Sequence, residues 1–155
     1  TGSLKKAKHK FWNELNKKTT KDYNLPEIAV LEKYTQFCRD IVLFKNLKIN
    51  KFYSNSLQTV ELKNLSKDIE NLKGKWGYFY EYKVDNIKNI KGLFSRKFQT
   101  MTYFGFTKNF MKNFIKEISN DGIDRVVPVG HALNIGLVWD GYEIISVLTR
   151  RITIQ

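Results

Sequence analysis

The sequence predicts the α/β class, with strands and helices alternating along one domain or part of one. Three observations lead to this prediction. The chain has 155 residues, a length that suits a single domain. Hydrophobic residues make up 42% of it and aromatic residues 14%, which is enough for a packed core and too much for a disordered tail. The spacing of apolar residues changes repeatedly between the helical and the strand period, and no internal repeat occurs.

Two amphipathic helices are predicted at the start of the chain. Residues 4–18 carry apolar side chains at helical spacing, and residues 19–22 are expected to end this helix. Residues 26–45 are predicted to form the longest helix, with Pro26 in its first turn. The apolar face that we expect to point into the core consists of Ile28, Leu31, Tyr34, Cys38, Ile41 and Val42. Cys38 is therefore predicted to be a buried structural thiol.

Strand-forming runs follow in the middle of the chain. Residues 48–54 and 57–62 are predicted strands, and residues 65–72 a short helix. In residues 76–84 and 98–106, large apolar or aromatic side chains recur at every second position, which is the period of a strand. We expect these aromatic rings to face the core, and base stacking, as in RNA-binding sheets, is the alternative.

The next predicted helix covers residues 108–119. Thr107 can cap its N-terminus, and Asp121 with Gly122 is expected to end it. Its predicted buried face consists of Phe110, Met111, Phe114, Ile115 and Ile118.

The last part of the chain is predicted to be irregular, with short elements. Residues 125–129 are predicted to form a short strand, and Pro128 inside it indicates an edge position or a strand end, because proline cannot donate a backbone hydrogen bond. Asp140 and Gly141 predict a turn, and Trp139 and Tyr142 are expected to anchor it. Residues 143–148 follow as a helix and residues 150–155 as a strand-like tail.

The basic charge is unevenly distributed. The net charge is +12, yet residues 1–120 hold 24 Lys and Arg against 11 Asp and Glu, and residues 121–155 hold 3 against 4. Such a field favours anionic partners: nucleic acid, a membrane surface, or phosphate-bearing molecules such as CoA and NADPH. Of the 27 positive residues 22 are Lys and only five are Arg, and 14 Asn are interspersed among them. A nucleic-acid surface often uses more Arg for its forked hydrogen bonds, so this composition favours a solvated surface. We therefore expect no nucleic-acid partner.

The sequence lacks the signals that mark several classes of protein. No apolar run is long enough for a membrane span, and the N-terminus lacks the apolar stretch of a signal peptide. The single cysteine excludes an internal disulfide, and with His9 and His131 it gives no zinc-binding spacing. These absences predict a cytoplasmic protein without a metal site.

The common catalytic motifs are absent as well. The sequence contains no nucleophile-elbow motif, no phosphate-binding glycine loop and no zinc-protease motif, so an autonomous active site is not expected. His131 follows Gly130 in a predicted loop after a strand, a location where functional residues occur. Its role is left open between proton transfer and structure.

Two motifs suggest a family. Residues 98–105 read FQTMTYFG, and some twenty residues later come GIDRVVPVGHAL at residues 122–133 and WDGY at residues 139–142. This pair resembles the C-terminal portion of the long-chain fatty acyl-CoA (acyl-protein) reductases, the reductases of the bacterial bioluminescence operon and their relatives. The run FWNEL at residues 11–15 looks like the helix that follows the catalytic cysteine region in those enzymes. The resemblance covers nearly the whole chain.

The resemblance implies an aldehyde-dehydrogenase-like fold, a mixed sheet covered by helices. Residues 1–140 would be the C-terminal part of the catalytic domain, and residues 141–155 a terminal helix and an oligomerisation strand. The nucleophilic Cys and the NADPH-binding domain would precede residue 1, so no catalytic residue is assigned here and Cys38 does not inherit that role. These enzymes reduce an acyl group to a fatty aldehyde with NADPH, through a cysteine thioester.

The resemblance also implies cofactor contacts and partners. Aldehyde dehydrogenases carry a Glu just before the strand matching residues 98–106, which holds the nicotinamide ribose, but this chain has Ser95-Arg96-Lys97-Phe98 there. Arg96, Phe98 and Gln99 are the candidates for the nicotinamide side of the site. The partners would be the acyl-protein synthetase and thioesterase of a fatty acid reductase complex, and the enzyme a homo-oligomer. The alternative function is a small basic α/β nucleic-acid-binding module.

Overall fold

The fold of residues 2–118 and 122–154 is described by a computed structural model. Helices account for 44% and strands for 19% of the chain, so the protein mixes helix and sheet, in agreement with the predicted class. Two compact units form: a first unit of Thr1–Ser66 with Asn71–Lys83, and a second unit of Lys67–Glu70 with Val84–Gln155. The boundary between residues 140 and 141 that the resemblance implies stays a prediction.

The first unit contains two helices and a three-stranded sheet. Its elements are α1 (Gly2–Asp22), α2 (Glu27–Leu43), β1 (Leu47–Ser54), β2 (Leu57–Leu62) and β3 (Tyr78–Glu81). β1 and β2 form an antiparallel hairpin, and β3 joins β2 in parallel after a 3₁₀ helix at Lys67–Asn71. The predicted hairpin strands are confirmed. The strand predicted over residues 76–84 is confirmed only at Tyr78–Glu81, because Trp76 and Gly77 have φ values of 55° and 79°, which end the extended backbone.

Side chains along β3 point alternately to the two faces of the sheet, and they contact α1 on one face and α2 on the other. Phe79 lies 5.2 Å from the Trp12 ring of α1, between ring centroids, and Glu81 accepts a hydrogen bond from the Trp12 indole. Tyr78 and Tyr80 point the other way and donate to Asp40 of α2. β2 is the central strand and is buried along nearly its whole length. Each fully buried Leu or Val there contributes about 1.5–3 kcal/mol to folding.

α1 is longer than the sequence indicated. Residues 19–22 were expected to end it, but they form its last turn, and its 21 residues exceed the 17 of α2. The prediction that the second helix is the longest is therefore wrong. Thr19 fits the helix because its hydroxyl donates to the Asn16 carbonyl, 3.1 Å away, and its own carbonyl accepts from the amide of Tyr23.

α2 buries the opposite face from the one predicted. Ile28, Leu31, Tyr34, Ile41 and Val42 are between 54% and 80% exposed, and Cys38 is exposed as well. The face turned to the sheet carries Ala29, Lys33 and Asp40, all buried. The reason lies in the partner strand, since the Tyr78 and Tyr80 hydroxyls need an acceptor and Asp40 supplies it. Hydrogen bonding across the interface thus outweighs the hydrophobic pattern of the helix.

The second unit is built around a strand–helix–strand segment. β4 (Thr100–Tyr103), α3 (Lys108–Glu117) and β5 (Arg125–Pro128) follow one another, and the two strands pair in parallel. A 3₁₀ helix at Ile87–Leu93 precedes them, and β6 (Val138–Trp139), β7 (Tyr142–Glu143) and α4 (Ile144–Leu148) come after. β6 and β7 form an antiparallel hairpin. The strands predicted over residues 98–106 and 125–129 and the helix over residues 143–148 are confirmed, with shorter bounds.

The core of the second unit lies between α3 and the strand pair. The Thr107 hydroxyl accepts a hydrogen bond of 3.2 Å from the Phe110 amide, which confirms the predicted cap. Met111, Phe114 and Ile118 are buried against apolar side chains of the strands and of the preceding 3₁₀ helix. Phe110 was predicted to be buried, but it is 41% exposed and stacks on Phe106. The predicted end residues Ser119 and Asp121 lie outside the described residues.

The C-terminal tail has no strand structure over residues 149–154, the last ones described. Ile152 is 91% and Ile154 is 93% exposed. The tail therefore does not pair with a strand among the described residues, and the predicted pairing with another subunit stays a prediction; its last residue, Gln155, lies outside the description. None of the described helices is both long enough and apolar enough to cross a membrane.

Candidate functional site

The two motifs that carry the family resemblance meet in the second unit. β4 and β5 pair from Thr100 with Arg125 to Tyr103 with Pro128. Just before the strands, the Gln99 carbonyl accepts hydrogen bonds of 3.0 Å and 3.1 Å from the amides of Asp124 and Arg125. In a parallel pair the carboxyl ends of both strands lie at one edge, where ligands of α/β proteins commonly bind. The turn before β4, which carries the predicted cofactor residues, lies at the opposite, amino end of the pair. We take as the candidate site this strand pair with the turn before β4 and the loop after β5, because the residues of the two motifs lie there.

The turn before β4 is held by side chains from a distant segment. The Phe98 amide donates to the Ser95 carbonyl, 2.9 Å away, which closes the turn. Glu70, from the 3₁₀ helix at Lys67–Asn71, accepts hydrogen bonds of 2.7 Å from the Ser95 hydroxyl and from the Lys97 ammonium. The bond from Lys97, aided by that from Ser95, holds the pKa of Glu70 below its usual value. Glu70 thus supplies the carboxylate that holds this turn in place.

Close packing against the loop that enters β5 fixes the same turn. Gly122 has a φ of +154°, and a Cβ built there would lie 1.8 Å from the Ser95 carbonyl oxygen. Any side chain at this position would therefore collide with backbone. The glycine that opens the second motif is explained by this contact with Ser95.

The three predicted cofactor residues lie on or beside this turn. The side chains of Arg96 and Gln99 are exposed, and Phe98 is half-buried, with its ring 6.1 Å from that of Phe94 between centroids. No ion pair joins Arg96 to another described residue. The structure thus brings Arg96, Phe98 and Gln99 together with two polar side chains open to solvent. Their contact with a nicotinamide stays a prediction.

Arg125 organises the loop after β5. Its guanidinium donates to the carbonyls of His131 and Ala132, at 3.2 Å and 2.5 Å, and also to that of Asn134. The same group lies 4.6 Å from the centre of the Trp139 ring. A forked, planar cation is required to reach three carbonyls and an aromatic face at once. The sequence did not reveal this role, because the acceptors are backbone atoms.

The predicted turn at Asp140 and Gly141 is confirmed as the tip of the β6–β7 hairpin. Both residues have positive φ values, 48° and 80°, as the tight two-residue hairpin turns require. A Cβ at Gly141 would lie 3.0 Å from the Asp124 carboxylate, so the hairpin tip packs against the start of β5. Trp139 is half-buried under Arg125, as an anchor should be. Tyr142 is 68% exposed, so the expectation that it anchors the turn is wrong.

His131 lies at the carboxyl end of β5 with its ring exposed. Its amide donates to the Pro128 carbonyl at 3.1 Å, and the Asn134 side-chain nitrogen is 2.9 Å from its Nδ1. This contact orients the ring. No ion pair links His131 to a carboxylate of the described residues. The Nε2 atom of the exposed ring thus faces solvent, and the role of His131 stays open.

The first unit contains a buried polar cluster around Asp40, whose side chain is fully buried. Its carboxylate accepts hydrogen bonds of 2.9 Å from Tyr78, 2.5 Å from Tyr80 and 2.7 Å from Gln36. Burial, and then the bond to Asp40, raise the pKa of Tyr78 and of Tyr80 above that of an exposed tyrosine. The three donors are a glutamine amide and two tyrosine hydroxyls, so uncharged groups satisfy the buried Asp40 carboxyl group.

Lys33 is the buried cation of the first unit. It is 2% exposed, and its ammonium donates to the Asn55 carbonyl and, at 3.3 Å, to the Trp76 carbonyl. Burial lowers the pKa of Lys33, since removing the ammonium from water disfavours its charged form. These bonds join the β1–β2 turn to the segment before β3. The buried side chains of Lys33 and Asp40 therefore both connect α2 to other elements of the first unit.

The described residues were predicted to hold neither a metal ion nor a reactive cysteine. Among the residues that the structure describes, no three His, Cys, Asp or Glu side chains lie close enough to hold a metal ion. Cys38 is exposed on α2, which corrects the prediction of a buried thiol. The reason is the reversed orientation of α2 described above.

Exposure of Cys38 predicts a rapid thiol reaction. The native chain should consume one equivalent of dithiodipyridine at nearly the rate of the chain in guanidinium, because the thiol is exposed. The reaction is followed by thiopyridone absorbance, with the Cys38→Ser variant as the blank. If the native chain reacted about a hundred times more slowly than the chain in guanidinium, the thiol would be buried, because a buried thiol reacts only when the structure opens locally.

Comparisons of the whole chain with protein-family models, with curated proteins and with solved structures found no match.

Proposed function

We propose that this chain is the C-terminal part of an NADPH-dependent long-chain fatty acyl-CoA or acyl-protein reductase. The enzyme produces a fatty aldehyde through a cysteine thioester formed outside this segment. The observation that carries the proposal is the meeting of the two motifs: residues 98–105 and 122–133 pair as β4 and β5, and Arg125 and Asp124 attach to them the loop and hairpin that follow. Residues that carry the resemblance thus form one local structure.

The proposed fold is the aldehyde-dehydrogenase type, with residues 1–140 in the catalytic domain and residues 141–155 as terminal helix and oligomerisation strand. Monomeric proteins rarely expose an apolar face such as the stripe on α2. This stripe therefore supports the proposal that the segment packs against further protein. We place the enzyme in the cytoplasm, as a homo-oligomer of the bioluminescence-operon type. Its partners are the synthetase and thioesterase of a fatty acid reductase complex.

NADPH fits the chemistry of the turn before β4. Arg96 offers an exposed guanidinium, which suits a phosphate or a ribose hydroxyl, and Gln99 an exposed carboxamide, which suits the amide of a nicotinamide. Phe98 beside them is half-buried. When bound, NADPH supplies the hydride. The turn itself is kept in place by Glu70 and Gly122, so these two residues position Arg96 rather than bind the cofactor.

Acyl labelling of the intact polypeptide tests the proposal. An alkyne-tagged tetradecanoyl-CoA should label one cysteine outside these 155 residues, and the isolated chain should take up no label and form no aldehyde. Mass spectrometry of the digested polypeptide locates the tag. The Cys38→Ser variant should be labelled like the parent, whereas stoichiometric labelling at Cys38 would refute the proposal.

The tail predicts the oligomeric state. Residues 150–154 have no strand partner among the described residues, and a terminal strand gains hydrogen bonds by adding to an exposed sheet edge of a neighbour. Deleting residues 150–155 from the intact enzyme should therefore give a smaller species in light scattering. Replacing Ile152 and Ile154 by Thr keeps the length and serves as a milder variant. An unchanged mass in both would overturn the assignment.

The nucleic-acid module is the second reading, and the strand aromatics argue against it. The hydroxyls of Tyr78 and Tyr80 are bound by Asp40, and Tyr103 packs against the α3 core. Phe79 is 41% exposed but already contacts Trp12. Phe52 of β1, in contrast, is 58% exposed and remains available for base stacking. A salt series of single-stranded DNA binding decides: micromolar or tighter affinity with a steep salt dependence would favour the module.

A further inference from the structure

A pocket in the first unit lies between α2 and the segment that precedes β3. Its volume is about 350 Å³, at the lower end of the range of small-molecule sites. Glu32, Gln36 and Arg39 of α2 line it, and so do Lys75 and Trp76 of the other segment. All of these residues belong to the first unit, so the pocket is complete within one compact unit.

Trp76 is held at this pocket in an unusual backbone conformation. Its φ is 55°, which residues with a side chain rarely adopt. Two contacts hold it there: its indole donates a hydrogen bond of 2.7 Å to Glu32, and its carbonyl accepts one of 3.3 Å from the buried Lys33. Trp76 is nevertheless 39% exposed. Such backbone conformations are typical of ligand sites, and here the fold fixes an aromatic ring at the wall of a pocket.

The polar side chains of the pocket follow one another along α2. Glu32, Gln36 and Arg39 are separated by four and three residues, so they lie on one side of the helix. The acidic and the basic end of this row are about 10 Å apart along the helix axis. Oε2 of Glu32 accepts from Trp76, so the aromatic ring lies at the acidic end.

The charged groups of the pocket have free bonding capacity. The side chains of Arg39 and Lys75 form no ion pair or hydrogen bond with another described residue, and none of these residues donates to Oε1 of Glu32. Guanidinium and ammonium groups bind phosphate, and a carboxylate oxygen accepts from N–H donors. A ligand that satisfies the pocket therefore carries an anionic group, N–H donors and a flat ring.

We propose that this pocket binds a guanosine phosphate, with the guanine ring on Trp76 and the phosphate on Arg39 and Lys75. Guanine has two neighbouring N–H donors on one edge, which match the lone pairs left on the Glu32 carboxylate. Base, ribose and phosphate together span the distance from Glu32 to Arg39 along the helix. The inference goes beyond the proposed reductase activity and rests on this pocket alone.

A free guanine nucleotide fits the pocket better than an adenine cofactor or a nucleic-acid strand. NADPH and CoA both carry adenine, which has an acceptor nitrogen beside its amino group, and that nitrogen repels the Glu32 carboxylate. A strand is bound by a series of rings and cations, whereas Trp76 is the only aromatic residue among the described ones that line this pocket. The volume of the pocket likewise suits one small molecule.

Calorimetric titration of the full 155-residue chain tests this inference. Guanosine 5′-monophosphate should bind at one per chain. Its affinity should exceed that of adenosine 5′-monophosphate, of guanosine and of ribose 5-phosphate by at least about tenfold, because each of these lacks a group that the pocket binds. Trp76→Leu should weaken binding of guanosine 5′-monophosphate about tenfold, as expected for one lost base stack.

Glu32→Gln separates recognition of the base from folding, because glutamine still offers an oxygen to the Trp76 indole. This variant should bind the guanosine and adenosine monophosphates with affinities that agree within about twofold, since one carboxylate–guanine pair is lost. Glu14→Gln, on an exposed residue of α1, is the matched control and should keep the preference of the parent. Arg39→Gln should weaken binding of guanosine 5′-monophosphate about tenfold and leave that of guanosine unchanged.

Four results would each overturn the proposal. The first is equal affinity of the parent chain for the guanosine and adenosine monophosphates, and the second is an equal effect of Glu32→Gln and Glu14→Gln. Binding of NADPH or CoA as tight as that of guanosine 5′-monophosphate would assign the pocket to the cofactors of the proposed reductase instead. Tighter binding of a guanosine-containing oligonucleotide, with a steep salt dependence, would assign it to a nucleic-acid surface.

Discussion

Replacing Asp40 by alanine should lower the free energy of unfolding of the first unit by about 3–5 kcal/mol, because it leaves buried donors without an acceptor. The Tyr78 and Tyr80 hydroxyls and the Gln36 amide all donate to this carboxylate, and Tyr78 and Asp40 are buried. Hydrogen-exchange mass spectrometry of peptides from α2 and β3 measures the change locally. Peptides from the second unit provide an internal reference.

The matched control is Asp22→Ala, which removes an exposed carboxylate paired with Lys18 at the end of α1. It should cost less than about 1 kcal/mol, as exposed ion pairs do. Tyr80→Phe should fall between the two variants, because one donor is lost and the other two remain. Equal protection in Asp40→Ala and Asp22→Ala would contradict the buried cluster and the orientation of α2 that depends on it.

Replacing Gly122 by alanine should destabilise the second unit by roughly 3 kcal/mol or more, from backbone strain of about 1–3 kcal/mol and overpacking of a similar size. The new methyl group would meet the Ser95 carbonyl, since a Cβ at this position lies 1.8 Å from its oxygen. The turn that carries Arg96 and Gln99 must then move. Faster exchange in peptides covering residues 95–103 and 123–130 would report the change.

Gly92→Ala is the matched control in the same unit. No atom lies within 4 Å of a Cβ built at Gly92, which is part of the 3₁₀ helix Ile87–Leu93. Alanine there should be neutral or slightly stabilising, because it restricts the unfolded chain. If Gly122→Ala were as stable as Gly92→Ala, the contact between the two motif segments would not exist as described.

Local signals in the sequence predicted the elements that depend on neighbouring residues. The β1–β2 hairpin, the Thr107 cap and the Asp140–Gly141 turn follow from residue types within a few positions. The orientation of α2 could not be obtained this way. Its apolar stripe indicated one face, but the acceptor needed by Tyr78 and Tyr80, some 40 residues further on, turned Asp40 inward.

The candidate site was predictable to a similar degree. The motifs indicated that residues 98–105 and 122–133 belong together, but only by resemblance, since no periodicity specifies which strands pair. Glu70 was missed altogether, because it acts on Ser95 and Lys97 from 25 residues away or more and no local pattern marks it. Arg125 was recognised as part of a motif. Its hydrogen bonds to backbone carbonyls could not be predicted, because every residue type has a carbonyl group and the sequence does not mark which ones accept.

The most direct measurement for the proposed function is the ratio of fatty aldehyde formed to NADPH oxidised by the intact polypeptide that contains these residues, with tetradecanoyl-CoA as the substrate. We expect equal amounts of aldehyde and oxidised NADPH. The Arg96→Gln variant should have a KM for NADPH that is raised about tenfold, because one charged hydrogen bond is lost, and its KM for the acyl-CoA should be unchanged. Lys10→Gln, on an exposed residue of α1, is the control. Absence of aldehyde from the intact polypeptide, with NADPH present and the protein folded, would contradict the account.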